Sequence, residues 1–316
     1  MSAGNAVVID LKFERREVDA ALENSFKDRQ VLRAGDREQD LSEARYAVVW
    51  KPEADLFKRA PKLDVLFSGG AGVDHVLTLP DLPDIPIVRF VDESLTTRMS
   101  EWVVLQCLSH LRQVPTYMKQ QREHAWRELS QPEAKDLTVS VMGLGVLGQD
   151  SVKKLKVMGF EVIGWSRRNR RIEGIETFDA EGLDEFLSRT DILVGLLPLT
   201  PETRGIFNAA LFGKLRQGGA LGKPVFINAG RGGSQVERDL LSALDAGVLG
   251  GVSLDVFEKE PLASGSPFWG MDNVLVTPHA ASASDVSALF RHVERQIARH
   301  EAGEALQHVV DRQTGY

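Results

Sequence analysis

Leu137-Thr-Val-Ser-Val-Met142, running straight into Gly143-Leu-Gly145-Val146-Leu147-Gly148, is the stretch on which the reading of this 316-residue chain turns. Its first half is a short β-branched run that reads as a buried strand. Ser151 to Met158 reads as a helix closed by Gly159, and Phe160-Glu-Val-Ile-Gly-Trp165 as a second strand. Strand, Gly-x-Gly-x-x-Gly, helix, strand is the context that separates a dinucleotide fingerprint from an ordinary tight turn. Gly143 permits the turn, Gly145 lets backbone approach a pyrophosphate, and Gly148 lets the helix lie close on the strand. The first N–H groups of that helix, with its dipole, then face the diphosphate. The stretch predicts nucleotide binding.

Which nucleotide depends on the end of the second strand. NAD sites usually carry Asp or Glu there, about 20 residues on, to accept from the ribose 2′-hydroxyl. Here the position is Ser166, followed by Arg167 and Arg168. A carboxylate would repel a 2′-phosphate, whereas a small hydroxyl and two guanidinium groups would bind it. Arg170 and Arg171 extend the run, so a solvated basic turn competes with this reading, but placement at the strand end favours the phosphate. NADP(H) is the expected cofactor.

The length suggests two domains, each with its own core. A net charge of -7 argues against nucleic-acid or membrane-surface partners. No apolar run approaches the ~18 residues of a membrane span, and the N-terminus lacks a basic region followed by an apolar signal core. The single cysteine, Cys107, lies in an apolar helical stretch and reads as packing. A cytoplasmic location fits. No His, Cys, Asp or Glu spacing suggests a metal site.

The fingerprint starts late, leaving room for a whole domain before it. Val7–Ile9, Arg45–Trp50, Leu63–Phe67 and Ile87–Val91 read as strands, with helices at Arg16–Phe26 and Glu53–Arg59. An apolar helix from Arg98 to Gln113 marks the crossing between domains, and a polar helix should continue from Pro115 to Trp126. Beyond the fingerprint, strands are expected at Asp191–Leu197, Val225–Asn228, Gly251–Asp255 and Val274–Thr277, with helices at Ala209–Arg216 and Val236–Ala246. The last helix, Asp285 to Leu306, carries Val286, Leu289, Phe290, Val293 and Ile297 on one face. Burying that face on the N-terminal domain would leave a cleft between two α/β domains crossed by two linkers. The expected boundaries are therefore 1–97 with 285–316, and 98–284.

Three consecutive strand ends in the second half carry chemistry: Asn228-Ala229-Gly230-Arg231, Asp255-Val-Phe-Glu-Lys-Glu260, and Thr277-Pro-His279. Open parallel sheets bind ligands at the strands' carboxyl ends. Each residue alone has a bland reading, as a salt-bridged Arg, a solvated Glu and a helix-capping His. Together, beside a nucleotide fold, they suit carbonyl reduction. A guanidinium holds a carboxylate bidentately and polarises a carbonyl, while His delivers a proton and a neighbouring carboxylate orients it.

Gly143-Leu-Gly-Val-Leu-Gly148, Leu197-Pro-Leu-Thr-Pro-Glu-Thr-Arg-Gly205, Asn228-Ala-Gly-Arg-Gly232, Asp255-Val-Phe-Glu-Lys-Glu-Pro-Leu262 and Thr277-Pro-His279 resemble the D-isomer-specific 2-hydroxyacid dehydrogenases, in order and at the family's spacing. The likeness runs from about Phe67 to Ala281. Trp165-Ser-Arg167, Val49-Trp-Lys-Pro52, Gln120–Trp126 and Ser266-Pro-Phe-Trp269 are similar to its bacterial glyoxylate/hydroxypyruvate reductase A branch. The resemblance implies a Rossmann-type doubly wound domain beside a smaller flavodoxin-like α/β substrate domain. It makes Arg231 the carboxylate and carbonyl ligand, His279 the proton donor and Glu260 its partner. Trp50, Ala71 and Gly72 would bind substrate. Cofactor contacts would come from the glycine loop, Ser166, Arg167, Arg168, Pro198, Leu199, Thr203, Ala229, Gly230, Asp255, His279 and Ala281, although Asp255 has a second reading as a cap of the strand turn. Substrates would be small 2-oxo acids and the assembly a homodimer.

The chain departs from its relatives in Ala280-Ala-Ser-Ala-Ser after the histidine and in a long glycine-rich loop at Leu215–Pro224, both able to alter pocket shape. Two rivals stand beside the reductase. A corepressor branch shares the fold and the Arg, Glu, His set, but usually adds disordered tails. An NAD-linked dehydrogenase for another hydroxy acid, such as phosphoglycerate, is disfavoured by Ser166-Arg167-Arg168.

Overall fold

Every pairing between named strands is parallel, so each strand is reached by a crossover rather than a hairpin. The computed structural model describes residues 6–315 except Asn169 and Gln313. It divides into two units, Met1–Leu95 with Ser284–Tyr316, and Thr96–Ala283.

The first unit contains β1 (Ala6–Leu11), α1 (Arg15–Leu22), β2 (Gln30–Arg33), β3 (Ala44–Trp50), α2 (Leu56–Arg59), β4 (Val65–Ser68), α3 (Asp74–Leu77) and β5 (Ile87–Val88). Their order, β2-β1-β3-β4-β5, is the flavodoxin-like one. The central strands are apolar on both faces, as a sheet covered on both sides requires. Strand β2 has no counterpart in the sequence reading. It is an edge strand with only Leu32 fully buried, so it carries almost no apolar signal. The C-terminal helix, Val286–Glu301, is capped by the Asp285 carboxylate, which accepts from the Ala288 N–H. It buries Val286, Leu289, Phe290, Val293 and Ile297 within this unit. Phe290 meets Phe26 edge-on at 5.2 Å, and Glu294 accepts from the Phe26 N–H. The helix stops at Glu301 rather than Leu306 because Gly303 turns the chain at positive φ. The tail then bonds β5 through the Val310 N–H to the Ile87 carbonyl.

Helix α4 (Glu93–Leu111) starts at the end of the first unit and continues into the second, which adds α5 (Val114–Arg122), β6 (Thr138–Met142), α6 (Val146–Val157), β7 (Glu161–Trp165), β8 (Glu176–Phe178), α7 (Leu183–Ser188), β9 (Ile192–Gly195), α8 (Ala209–Phe212), β10 (Val225–Asn228), α9 (Glu237–Asp245), β11 (Gly251–Leu254) and β12 (Val274–Val276). Its sheet runs β12-β11-β10-β9-β6-β7-β8. Counted from β6, that is the doubly wound order 3-2-1-4-5-6 with one strand appended. Alternate residues of β10 feed the two faces: Phe226 packs with Phe207 and Phe212, Val225 and Ile227 with Val194 and Val103. The strand order reverses between β6 and β9, the switch point beside which open parallel sheets bind ligands at the strands' carboxyl ends.

Several boundaries differ from expectation. Helix α6 starts at Val146, inside the fingerprint, not at Ser151, because the Gln149 N–H already bonds the Gly145 carbonyl. Helix α4 begins at Glu93, before Arg98, and α5 ends at Arg122, before Trp126. Strand β8 and helix α7 escaped the sequence reading because they are short and carry few buried residues. No helix among the described residues is long and apolar enough to cross a membrane.

Candidate active site

The turn after β6 is shaped by what a side chain would strike. Gly143 has φ 110°, a left-handed conformation costly for residues with a Cβ, and a Cβ there would lie 2.5 Å from the Leu196 carbonyl oxygen. A Cβ on Gly148 would overlap the Gly143 carbonyl, so the helix can sit this close only with glycine. At Gly145 the situation is reversed: a Cβ would meet no atom within 4 Å. Gly145 and Val146 are exposed, and α6 has no side-chain cap. The first N–H groups of α6, at Val146 and Leu147, therefore stand at an uncapped helix N-terminus beside this open position. An anionic pyrophosphate fits that cradle by charge and by room.

Beside it, Ser166 follows directly on the end of β7. The Ser166 hydroxyl donates to the Arg168 carbonyl at 2.7 Å, so it must release that bond to donate to a phosphate. Arg167 and Arg168 are exposed, and Arg167 lies 3.5 Å from the Glu202 carboxylate. Thr200's hydroxyl, the Glu202 backbone N–H and the Arg167 charge hold that carboxyl below its ordinary range. Arg170 reaches back to donate to the Leu144 carbonyl within the glycine loop. Pro198 and Leu199 are half-buried on the loop after β9. The Thr203 hydroxyl donates to the Pro198 carbonyl at 2.6 Å and accepts from the Thr200 N–H, which makes Thr203 the brace of that loop.

At the ends of β10, β11 and β12 stand the three residues singled out by their chemistry. Asn228 is fully buried. Its amide donates to the Arg231 carbonyl and to Gln235 Oε1, while its Oδ1 accepts from the Gly230 N–H. It therefore fixes the backbone from which Arg231 projects, and Ala229 and Gly230 are buried with it. The sequence reading used Asn228 only as the start of a motif; its polarity at the end of an apolar strand was the available signal. Arg231 is half-buried, with Nη1 donating to the Gly230 carbonyl.

The pair at the next two strand ends is in contact: His279 Nδ1 lies 2.9 Å from Glu260 Oε2. Glu260 Oε1 also accepts from the Phe257 N–H, so the carboxylate is held at both oxygens. With Nδ1 facing a carboxylate, the imidazole's other nitrogen is the one left for a substrate. Among the residues read as cofactor contacts or turn caps, Asp255 faces its own turn. It is almost fully buried, its Oδ1 accepting from the Thr277 hydroxyl and the Ala280 N–H and its Oδ2 from the Ala281 N–H. Its carbonyl takes the His279 N–H as well. Asp255 thus braces the turn bearing His279 and buries Ala281, instead of presenting its carboxylate outward.

In the first unit, Trp50 ends β3 and Ala71 and Gly72 lie in the loop after β4. The Ser68 hydroxyl donates to the Gly72 carbonyl, closing that loop. Among the described residues no three His, Cys, Asp or Glu groups are arranged to hold a metal ion.

Comparison with known proteins follows the same lines. The profile of the D-isomer specific 2-hydroxyacid dehydrogenases, NAD binding domain, matches residues 104–281. The chain is 36% identical over 289 residues to glyoxylate/hydroxypyruvate reductase A of Yersinia enterocolitica, spanning 89% of this chain and 90% of that one. It is similar to the NADPH-dependent glyoxylate/hydroxypyruvate reductase of Sinorhizobium meliloti, solved with NADP and sulfate, at 66% identity and a TM-score of 0.97 over 99% of this chain and 100% of that one. A probable 2-hydroxyacid dehydrogenase of Rhizobium etli, solved with NADP, HEPES and L(+)-tartaric acid, follows at 62% identity and a TM-score of 0.93, with the same coverage.

Proposed function

This chain belongs to the D-isomer specific 2-hydroxyacid dehydrogenase family, and from that premise we propose that it reduces glyoxylate and hydroxypyruvate to glycolate and D-glycerate with NADPH. The observation that carries the reading is the His279–Glu260 pair at a strand end of a nucleotide-binding sheet. Bound NADPH supplies the hydride that reaches C2 of the 2-oxo acid. The N–H groups of Val146 and Leu147 hold its diphosphate, and Arg167 and Arg168 its 2′-phosphate. Arg231 clamps the substrate carboxylate and polarises the carbonyl, and Trp50, Ala71 and Gly72 supply further substrate contacts. His279 gives its Nε2 proton to the carbonyl oxygen as charge develops there, and Glu260 stabilises the imidazolium before transfer.

Relatives named glyoxylate/hydroxypyruvate reductase and NADP-bound neighbours support this substrate and cofactor choice. A steady-state panel of 2-oxo acids with NADPH and NADH tests it. Turnover confined to other acids, or with NADH alone, would overturn the reading. Leu105, Met118 and Trp126 are exposed on and after α4 and α5, and the proposed assembly is a homodimer that takes them out of water. A monomer by light scattering at micromolar concentration would refute that assembly.

A further inference from the structure

The reading above gives Trp50 a place at the substrate, and the structure shows what holds its ring. A Cβ on Gly70 would lie 2.6 Å from Trp50 Cζ3 and 3.0 Å from Cη2, so the six-membered edge of the indole rests on bare backbone. The Gly70 N–H is tied to Ser68 Oγ, which also donates to the Gly72 carbonyl. On another side stands the imidazole of His75, its centroid 4.3 Å from that of Trp50 at 56°. Phe13 is a second aromatic neighbour, its ring centroid at 6.2 Å and tilted by 42°. Helix α3 begins directly after the Ala71–Gly72 loop and places His75 in its first turn. The indole, the loop and the imidazole thus form one packed unit built on the end of β3.

We propose that His75 is a positioning residue that fixes the indole of Trp50 and so sets the size of 2-oxo acid the enzyme accepts. The inference rests on the substrate-lining role of Trp50. The chemistry is steric. Aromatic rings in tilted contact prefer a narrow range of offsets, and removing one ring leaves the other free to move into the vacated volume. Gly70 blocks motion the other way. An indole that swings toward position 75 withdraws from the small substrate and makes room for a larger one.

The test compares kcat and KM for glyoxylate, hydroxypyruvate and the bulkier phenylpyruvate in the parent and in His75→Ala, His75→Phe, Trp50→Ala and Gly70→Ala. His75→Ala should raise KM for glyoxylate by about 2- to 12-fold, the scale of an aromatic pair. Its kcat and NADPH KM should stay within about 2-fold of the parent, with relative efficiency on phenylpyruvate increased. His75→Phe, which keeps a flat ring, should restore the parent values. Gly70→Ala, which pushes the indole toward the His75 side, should also move selectivity. The fluorescence change caused by His75→Ala should disappear in a Trp50→Phe background, because it reports this contact alone. If Trp50→Ala alters substrate KM while His75→Ala does not, the positioning role is overturned and the reading of Trp50 stands. If Trp50→Ala leaves every substrate KM unchanged, the substrate-lining reading fails and the inference fails with it. A fluorescence change that persists without Trp50 would also overturn the proposal, whether or not either variant is active.

Discussion

Cofactor choice can be pressed furthest, because the structure shows both what would read the 2′-phosphate and what competes with it. Arg167 is 38% exposed and already 3.5 Å from Glu202, and the Ser166 hydroxyl is engaged with the Arg168 carbonyl. A well-made hydrogen bond to a charged group contributes about 1.5–3 kcal/mol, so one such contact implies roughly 10- to 160-fold preference for NADPH. Solvent screening and competition from Glu202 favour the lower end, about 10-fold. Arg167→Ala should lose most of that preference. Ser166→Asp with Arg167→Ala should invert it, since the new carboxylate repels the phosphate and accepts from the ribose diol. Glu202→Gln should act in the opposite direction, tightening NADP+ by a few-fold while leaving NAD+ alone, because it removes a like charge and releases Arg167. Calorimetric Kd values for both nucleotides, with kcat/KM for both reduced forms, measure all three. A parent that favours NADH, or an Arg167→Ala variant that binds NADP+ as the parent does, would refute the argument and leave the arginines a solvated turn.

His279→Ala should lower turnover by about 100-fold or more with NADP+ affinity retained, the scale of a lost general acid; near-normal turnover in stopped-flow would dismiss the role. Arg231→Lys should raise KM strongly and lower kcat, because an ammonium cannot reproduce the planar fork; unchanged KM for glyoxylate would move the carboxylate site elsewhere. Acid should destabilise the fold through His110, which is buried with Nε2 2.9 Å from Ser253 Oγ and pushed by desolvation from 6.5 down to about 4. Between those values the unfolded chain binds a proton that the native chain does not, so stability falls as pH drops, by about 3 kcal/mol near pH 4. Urea midpoints at pH 8 and pH 5 should therefore differ less in His110→Gln, and an unchanged difference would show that this histidine is not responsible. His292, also lowered to about 4 by burial, keeps part of the slope in that variant.

The parts of this molecule legible in its sequence are those where one residue type has few alternatives. Gly143 and Gly148 are forced by a left-handed φ and by backbone contact, and such constraints leave a fixed spacing in the chain. Strand β10 is buried through its length and β6 and β7 from their second residue on, so their apolar runs end near where the strands do. Strand β2 and the pair β8–α7 are short, and edge positions demand little apolar surface; nothing in a local window marks them. The start of α6 was misplaced because glycine and valine are poor helix formers. Tertiary contact with the strand overrides that preference. Spacing alone also left Asp255 ambiguous, since a carboxylate facing a ribose and one facing three backbone or hydroxyl donors look alike in sequence.

That ambiguity resolves into a division of labour between two carboxylates around one histidine. His279 adopts φ 53°, a conformation uncommon for a residue with a side chain. Such a conformation persists where surrounding bonds over-determine it. Asp255 supplies them: its side chain takes the Thr277 hydroxyl and the Ala280 and Ala281 N–H groups, and its carbonyl takes the His279 N–H. With the backbone fixed from beneath the sheet end, the imidazole needs only one further contact to set its orientation, and Glu260 makes it at Nδ1. Asp255 is buried and determines where the ring stands; Glu260 is partly open to solvent and determines how the ring is turned. Loss of either would lower activity, yet for different reasons. Removing the Asp255 carboxylate takes three hydrogen bonds from the turn and would be felt in stability, whereas removing Glu260's charge leaves those bonds in place and loosens the hold on the imidazole's orientation.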